Sequence, residues 1–117
     1  MELLTLKELC ESLNVSRRSI QCYEKAGLMM PTDKNKYGHL LYDEKAYQRA
    51  KQIKFLQQLG FKLREIKELI DAPGIILKNA LKRRVAELER ENERLDELIQ
   101  EAYRLIEQLK LSSKGEI

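Results

Sequence analysis

The sequence predicts a mainly α-helical chain, a small helical head followed by one long helix, and three observations predict it. Of its 117 residues 35% are charged and 43% hydrophobic, a balance that suits one small helical core. Before Pro73 apolar residues recur at short helical spacings interrupted by capping and breaking residues. After Gly74, Ile75 to Leu111 runs for 37 residues without Gly or Pro. So short and charged a chain leaves little room for a deep substrate cavity, which argues against an enzyme. No apolar run approaches the roughly 18 residues of a membrane span, and the first dozen residues alternate apolar side chains with Glu and Lys, unlike a signal peptide. A cytoplasmic protein is expected. Its two cysteines, Cys10 and Cys22, fit free thiols of a reducing compartment.

Taken in order, Thr5 and Glu8 stand at capping-box spacing, so a first helix should start at Leu6, turn Leu6, Leu9 and Leu13 inward and end near Asn14. Ser16 is the next N-cap candidate. Arg17 to Lys25 reads as a helix with Ile20 and Tyr23 on one face and Gly27 at its C′ position. The tight Leu-Asn-Val-Ser link makes the pair a helix-turn-helix, although the same spacing also fits an αα-hairpin of a bundle. From Leu28 to Tyr42, the breakers Pro31, Asp33, Asn35 and Gly38 separate Leu28-Met29-Met30 from Leu40-Leu41-Tyr42. That pattern predicts a small hairpin with Lys34 and Lys36 at its tip, or else a solvated loop. Asp43 caps a helix through Leu59 with Ala46, Tyr47, Ala50, Ile53, Phe55 and Leu56 on its apolar face, and Gly60 stops it. Leu63, Ile66, Leu69 and Ile70 predict a shorter helix. Asp71-Ala72-Pro73-Gly74 then breaks the chain and sets the head at residues 1–74.

Residues 75–111 should form a single helix of about 55 Å at about 1.5 Å rise per residue. Placing Val85, Asn92, Ile99 and Ile106 at heptad position a puts Leu81, Leu88, Leu95, Ala102 and Leu109 at d, an unbroken 4–3 spacing. Leu77, Leu98 and Leu105 widen the stripe. A lone helix exposing it is marginal in water, and its far end lies beyond the reach of the head. A coiled coil with a second copy of the chain is therefore expected rather than a fold back onto the head. Asn92 is the single polar a residue, a device that commonly sets register, and the spacing leaves parallel and antiparallel pairing both open. Residues 112–117 are expected to be a flexible tail, too short for a ligand-binding domain.

The net charge of +3 is unevenly spread. Through Gly74 there are 13 Lys/Arg against 10 Asp/Glu, whereas from Ile75 onward nine face nine. Between Arg17 and Lys62 ten basic residues face four acidic ones, a local balance of +6. A basic head on a neutral rod points to a polyanion such as nucleic acid. A basic hairpin after a helix-turn-helix acts as a wing that can lie along a phosphate backbone.

The order Thr5-Leu6-Lys7-Glu8-Leu9, Val15-Ser16-Arg17-Arg18-Ser19-Ile20, Tyr23-Glu24-Lys25-Ala26-Gly27-Leu28, Tyr42-Asp43 and Leu59-Gly60-Phe61-Lys62-Leu63-Arg64-Glu65-Ile66 resembles the MerR (mercury-resistance-regulator) family of bacterial transcription regulators. The resemblance covers the head almost throughout and implies a winged helix-turn-helix whose long dimerisation helix forms an antiparallel coiled coil. It further implies a homodimer set on a pseudo-palindromic promoter site in double-stranded DNA, distorting an overlong spacer so that RNA polymerase can engage both promoter elements. This chain would be a short member without an effector domain.

By that resemblance Arg18 takes the basic position of the recognition helix, Arg17 a variable position at its start, and Tyr23 the second of two paired aromatics. Ser16 and Gln21 flank them. Physically, Arg17 and Arg18 near a helix N-terminus can reach phosphates or a guanine edge, and a Tyr23 hydroxyl can donate to phosphate or pack in the core. Tyr42 matches the aromatic of the wing's return strand, where core packing is equally open, and Lys34, Lys36 and Tyr37 follow from the wing. Gln21 and Cys22 stand where the family usually has Arg and Tyr, His39 and Leu40 where it has Tyr and Arg, and Lys62 where it has a Ser or Thr cap. With two phosphate-binding arginines missing, an alternative is a protein-interaction or accessory module of the same fold with weakened DNA binding.

Other chemistry is not supported. One His and two distant Cys do not give zinc-ligand spacing, iron–sulfur ligation lacks ligands, and neither a phosphate loop nor a catalytic triad can be drawn. No metal, cofactor or membrane partner is expected. Cys22, beside Arg18 and Lys25, is the thiol that redox sensing would use.

Overall fold

A computed structural model describes residues 2–115, with side chains up to residue 112. The elements run β1 (Leu4–Thr5), α1 (Leu6–Leu13), α2 (Arg17–Lys25), β2 (Asp33–Lys34), β3 (Leu40–Tyr42), α3 (Glu44–Leu59), α4 (Leu63–Ile70) and α5 (Gly74–Gly115). The backbone divides after Pro73 into a head and the long helix, so Gly74 starts α5 instead of closing the head.

Caps define the head's helices. Thr5 Oγ1 accepts from the Glu8 N–H at 3.2 Å while Glu8 Oε1 accepts from the Thr5 N–H at 3.0 Å, the reciprocal box the spacing predicts. α1 ends on Asn14 in the left-handed region at φ 54°, a conformation Asn tolerates better than most residues. Ser16 Oγ accepts from the Ser19 N–H at 3.0 Å to start α2, and Gly27 beyond its end takes φ +76°. Asp43 Oδ1 accepts from the Ala46 N–H at 2.8 Å, and α3 stops at Gly60 with φ +111°. At α4 the box is half made. Glu65 Oε1 accepts from the Lys62 N–H at 2.9 Å, but an ammonium has no lone pair with which to answer.

The core of the head is Leu9, Leu13, Ile20, Tyr23, Leu28, Tyr42, Ala50, Ile53, Leu56 and Ile66. Each of the fully buried large aliphatics contributes about 1.5–3 kcal/mol relative to exposure. Two cations tie helix ends to this core. Lys54 Nζ donates to the Leu13 carbonyl at the end of α1 at 2.6 Å, and Arg49 Nε donates to the Leu28 carbonyl just beyond α2 at 2.8 Å. The Leu13 carbonyl is one that a helix end leaves orphaned, and the Leu28 carbonyl belongs to the link that follows α2. The remaining guanidinium nitrogens of Arg49 grip both carboxylate oxygens of Asp71 at 2.7 Å each.

The wing differs from the hairpin expected. A three-stranded antiparallel sheet has the order β1-β3-β2, with Leu4 opposite Tyr42, Lys34 opposite Leu40 and Leu41 central between Thr5 and Asp33. The outgoing strand is Asp33–Lys34, not Leu28-Met29-Met30. Leu28 and Met29 are buried in the core, and Pro31, without an N–H, cannot extend a ladder. Phe55, expected on the inner face of α3, is 53% exposed, since the buried stripe there is Ala46, Ala50, Ile53 and Leu56.

The long helix α5 spans 42 residues. It continues through Gly115, so the tail expected from residue 112 keeps helical backbone for four more residues, in line with the low cost of extending a helix already formed. Residues 116 and 117 lie outside the described residues. No described helix is long and apolar enough to cross a membrane.

Candidate nucleic-acid interface

α2 and the wing hold the residues singled out for DNA. Helical periodicity turns Ile20 and Tyr23 into the core and leaves Arg17, Arg18, Gln21 and Lys25 exposed. Ser16 is exposed, but its hydroxyl is committed to the cap of α2 and lies 3.0 Å from the Ser19 hydroxyl. The free N–H groups of a helix start and two arginines in its first turn make this end of α2 strongly attractive to phosphate. Neither Arg17 nor Arg18 has an ion-pair partner among the described residues.

The wing tip is built on Asn35, whose Oδ1 accepts from the backbone N–H groups of Tyr37 and His39 at 2.9 Å each. Gly38 turns the chain at φ +83°, a backbone conformation that L side chains rarely adopt. This turn presents Lys34, Lys36 and Tyr37 to solvent, with Lys36 Nζ 5.1 Å from the centroid of the Tyr37 ring. Tyr37 is 72% exposed, free to pack against a sugar or a base edge.

Tyr23 and Tyr42 are not part of that surface. Tyr42 is fully buried and its hydroxyl donates to Glu24 Oε1 at 2.5 Å. Tyr23 is 2% exposed and its hydroxyl donates to Gln57 Oε1 at 2.8 Å. Burial pushes both phenols above their ordinary range, and for Tyr42 the hydrogen bond to Glu24 adds to the shift. For either hydroxyl to donate to a phosphate it would have to give up its present acceptor, so both act here as braces of α2. Two residues outside the DNA-binding set expected from sequence share a concave surface with Arg17. Lys7 of α1 and His39 of the wing line a groove with Arg17, a juxtaposition that sequence separation hides.

Along α5, Leu81 and Leu88 are half-buried, while Val85, Asn92, Leu95, Ile99, Ala102, Ile106 and Leu109 are exposed. The stripe also includes Leu98 and Leu105 at 53% and 55% exposure, apolar surface that is costly for a lone helix to expose to water. Cys10 is buried and Cys22 exposed, both as free thiols. Among the described residues no three His, Cys, Asp or Glu side chains gather as a metal ion would require.

Residues 4–73 match the sequence model described as MerR HTH family regulatory protein, and residues 47–110 match that described as MerR, DNA binding. The chain is 35% identical over 95 residues to the HTH-type transcriptional activator mta of Bacillus subtilis, covering 81% of this chain and 37% of that protein. It is 30% identical over 99 residues to the HTH-type transcriptional regulator SkgA of Caulobacter vibrioides, covering 85% and 39%. Among solved structures, the N-terminus of MtaN, the Bacillus subtilis multidrug transporter activator, superposes with a TM-score of 0.67 at 33% identity, covering 88% of this chain and 97% of that one. The chain spans less than two fifths of the length of the curated relatives it matches, 37% of mta and 39% of SkgA.

Proposed function

Because the chain belongs to the MerR family of helix-turn-helix regulators, we propose that it is a transcription regulator that acts as a homodimer, holding a pseudo-palindromic promoter site and distorting it. The observation that carries this reading is the exposed face of α2, where Arg17, Arg18 and Gln21 stand without a carboxylate partner beside the Lys34–Lys36 wing. In this reading α2 enters the major groove, where an arginine bidentate on guanine discriminates by about 1–3 kcal/mol, and Gln21 can pair an adenine edge. The wing lysines neutralise backbone phosphates and fix orientation without reading sequence. The apolar stripe of α5 supports pairing of two copies through Leu81, Val85, Leu88, Asn92, Leu95, Ile99, Ala102, Ile106 and Leu109. Two heads on one rod pair favour two half-sites, and bending the duplex between them costs about 1–6 kcal/mol that the doubled contacts offset. RNA polymerase would be reached through the reshaped promoter.

The test is an anisotropy titration on the chain's own upstream region at several salt concentrations, comparing wild type with Arg17→Ala/Arg18→Ala. The double variant should bind more weakly, and the slope of log K against log salt should fall by about 0.9 per lost phosphate contact. Sequence-blind binding indifferent to the double change would instead favour an interaction module, a reading that Gln21 and the uncharged, half-buried Leu40 support.

A further inference from the structure

A second groove of the head, of about 640 Å³, lies between α3 and the link from α2 to the wing. Its volume falls within the range of about 300–1,000 Å³ that small-molecule sites occupy. The two walls differ in chemistry. Lys45, Gln48, Arg49 and Gln52 of α3 follow one another at i, i+3, i+4 and i+7, which puts them on one helix face. The link supplies Leu28, Met29, Met30 and Pro31. It is held at both ends, since the Leu28 N–H donates to the Tyr23 carbonyl at 3.0 Å and the Thr32 N–H to the Leu41 carbonyl at 2.8 Å. Leu28 and Met29 are buried, but Met30 is 75% exposed, a flexible apolar side chain that adapts to what it covers. Both carboxylates of the lining are engaged. Asp43 accepts from the Ala46 N–H at 2.8 Å, and Asp71 takes Arg49 through both oxygens at 2.7 Å each. The donors are not exhausted. Arg49 gives its Nε–H to the Leu28 carbonyl at 2.8 Å, which still leaves guanidinium N–H groups unspent. Lys45, one turn earlier, makes no ion pair or hydrogen bond among the described residues.

We propose that this groove binds a small amphipathic carboxylate, its anionic head between Lys45 and Arg49 and its apolar body against Met29, Met30 and Pro31. Cations at i and i+4 repel one another, and Asp71 neutralises only Arg49, so one added negative charge is favourable there. A carboxylate matches the planar guanidinium, and the Gln52 amide offers a further donor. A monoanion is favoured over a phosphate, because Asp43 and Asp71 share the lining and would repel a second negative charge. An organic cation is disfavoured, because both carboxylates are already bonded. Neither Arg17, Arg18 nor the wing lysines line the groove, so the site goes beyond the DNA-binding reading and does not depend on it. A ligand held by Arg49 bears on the two segments that Arg49 joins, the link into the wing and the end of α4.

Protein labelled at its methionine methyl groups and titrated with octanoate, below the concentration at which octanoate forms micelles, tests the site. Octanamide and octylammonium serve as the neutral and cationic counterparts. Of the chain's three methionines, Met29 and Met30 line the groove, and their resonances should move saturably with octanoate. Octanamide should bind about tenfold more weakly, because hydrogen bonds to an ionised acceptor are the stronger ones, and octylammonium no better than octanamide. Lys45→Glu, a change at an exposed position, should weaken octanoate about fivefold or more, and Lys45→Gln by less. Met30→Ser should weaken octanoate and octanamide alike. Unchanged urea unfolding of the variants would separate a lost site from a lost fold. The absence of a saturable shift at millimolar octanoate would overturn the proposal. Equal binding of all three probes, tightest binding of octylammonium, or indifference of octanoate to both Lys45 variants would overturn it as well, leaving an apolar patch without a carboxylate seat.

Discussion

At the residue scale, the most consequential side chains of the head are those whose polar tips are already committed. Tyr42 packs with no exposure and donates to Glu24 of the recognition helix, so Tyr42→Phe keeps the packing and removes the brace. Unfolding in urea should show a loss of about 1.5–3 kcal/mol, the range for a hydrogen bond to a charged group. The same substitution should flatten the alkaline limb of stability. Tyr23 and Tyr42 both have raised folded values, so their contribution is complete below about pH 10 and is lost as pH rises further. The carboxylates act in the opposite direction. The Thr5 N–H holds Glu8 below the ordinary range, the Ala46 N–H does so for Asp43, and the Arg49 guanidinium does so for Asp71. Their contribution is present above about pH 4 and is lost as pH falls through the lowered folded values. Asp71→Asn should therefore make the urea midpoint less sensitive to pH in that acid window while lowering it at pH 7. Ser16 separates capping from contact. Ser16→Ala should cost about 1 kcal/mol of stability. Ser16→Asp should preserve the cap yet weaken DNA binding by placing a negative charge beside Arg17, and equal DNA affinity of the two variants would remove α2's start from the interface.

At the element scale, α4 is the helix with a defect that can be repaired. Its N-cap, Lys62, offers no acceptor, and only the Glu65 half of the box is made. Lys62→Ser should complete the box and raise stability by about 0.5–1 kcal/mol, read as a higher urea midpoint with unchanged slope. A lower midpoint would mean that the ammonium has a role outside the cap. Caps also mark what the sequence makes readable. Thr5/Glu8, Ser16 and Asp43 announce α1, α2 and α3 because each cap is a local bond between residues three apart. β1 announces nothing, since two residues carry no alternation and Leu4–Thr5 becomes a strand only because β3 pairs with it, Leu4 with Tyr42 and Thr5 with Leu41. Leu28-Met29-Met30 looks like a strand by composition, but two of its three side chains fill the helical core. The interface divides in the same way. Arg17, Arg18 and the wing lysines follow from local charge and helical phase. Tyr23 faces inward by the helical phase it shares with Ile20, whereas the commitment of the Tyr23 and Tyr42 hydroxyls to Gln57 and Glu24 and the groove shared by Lys7 and His39 are tertiary facts that no spacing encodes.

At the scale of the whole molecule, the two units differ in what they lack. The head buries a core of apolar residues and carries the entire positive excess, whereas α5 is charge-balanced and leaves Leu95, Ile99, Ile106 and Leu109 between 44% and 58% exposed. A second copy, as proposed above, would answer both at once, by covering the stripe and by doubling the basic surface offered to one duplex. If so, folding of the chain is linked to its concentration, and its Tm should rise as the protein is concentrated. Leu88, half-buried and at a central d position, is where one charge does most harm. Leu88→Lys should sediment as a monomer and show a Tm independent of concentration. Its heads remain intact, so a duplex carrying a single half-site should be bound as by wild type, while the full site should lose the gain that comes from joining two modules, of order 10²-fold or more. A dimer that survives Leu88→Lys would place the seam on another face of α5, with Leu77, Leu98 and Leu105 the next side chains to charge.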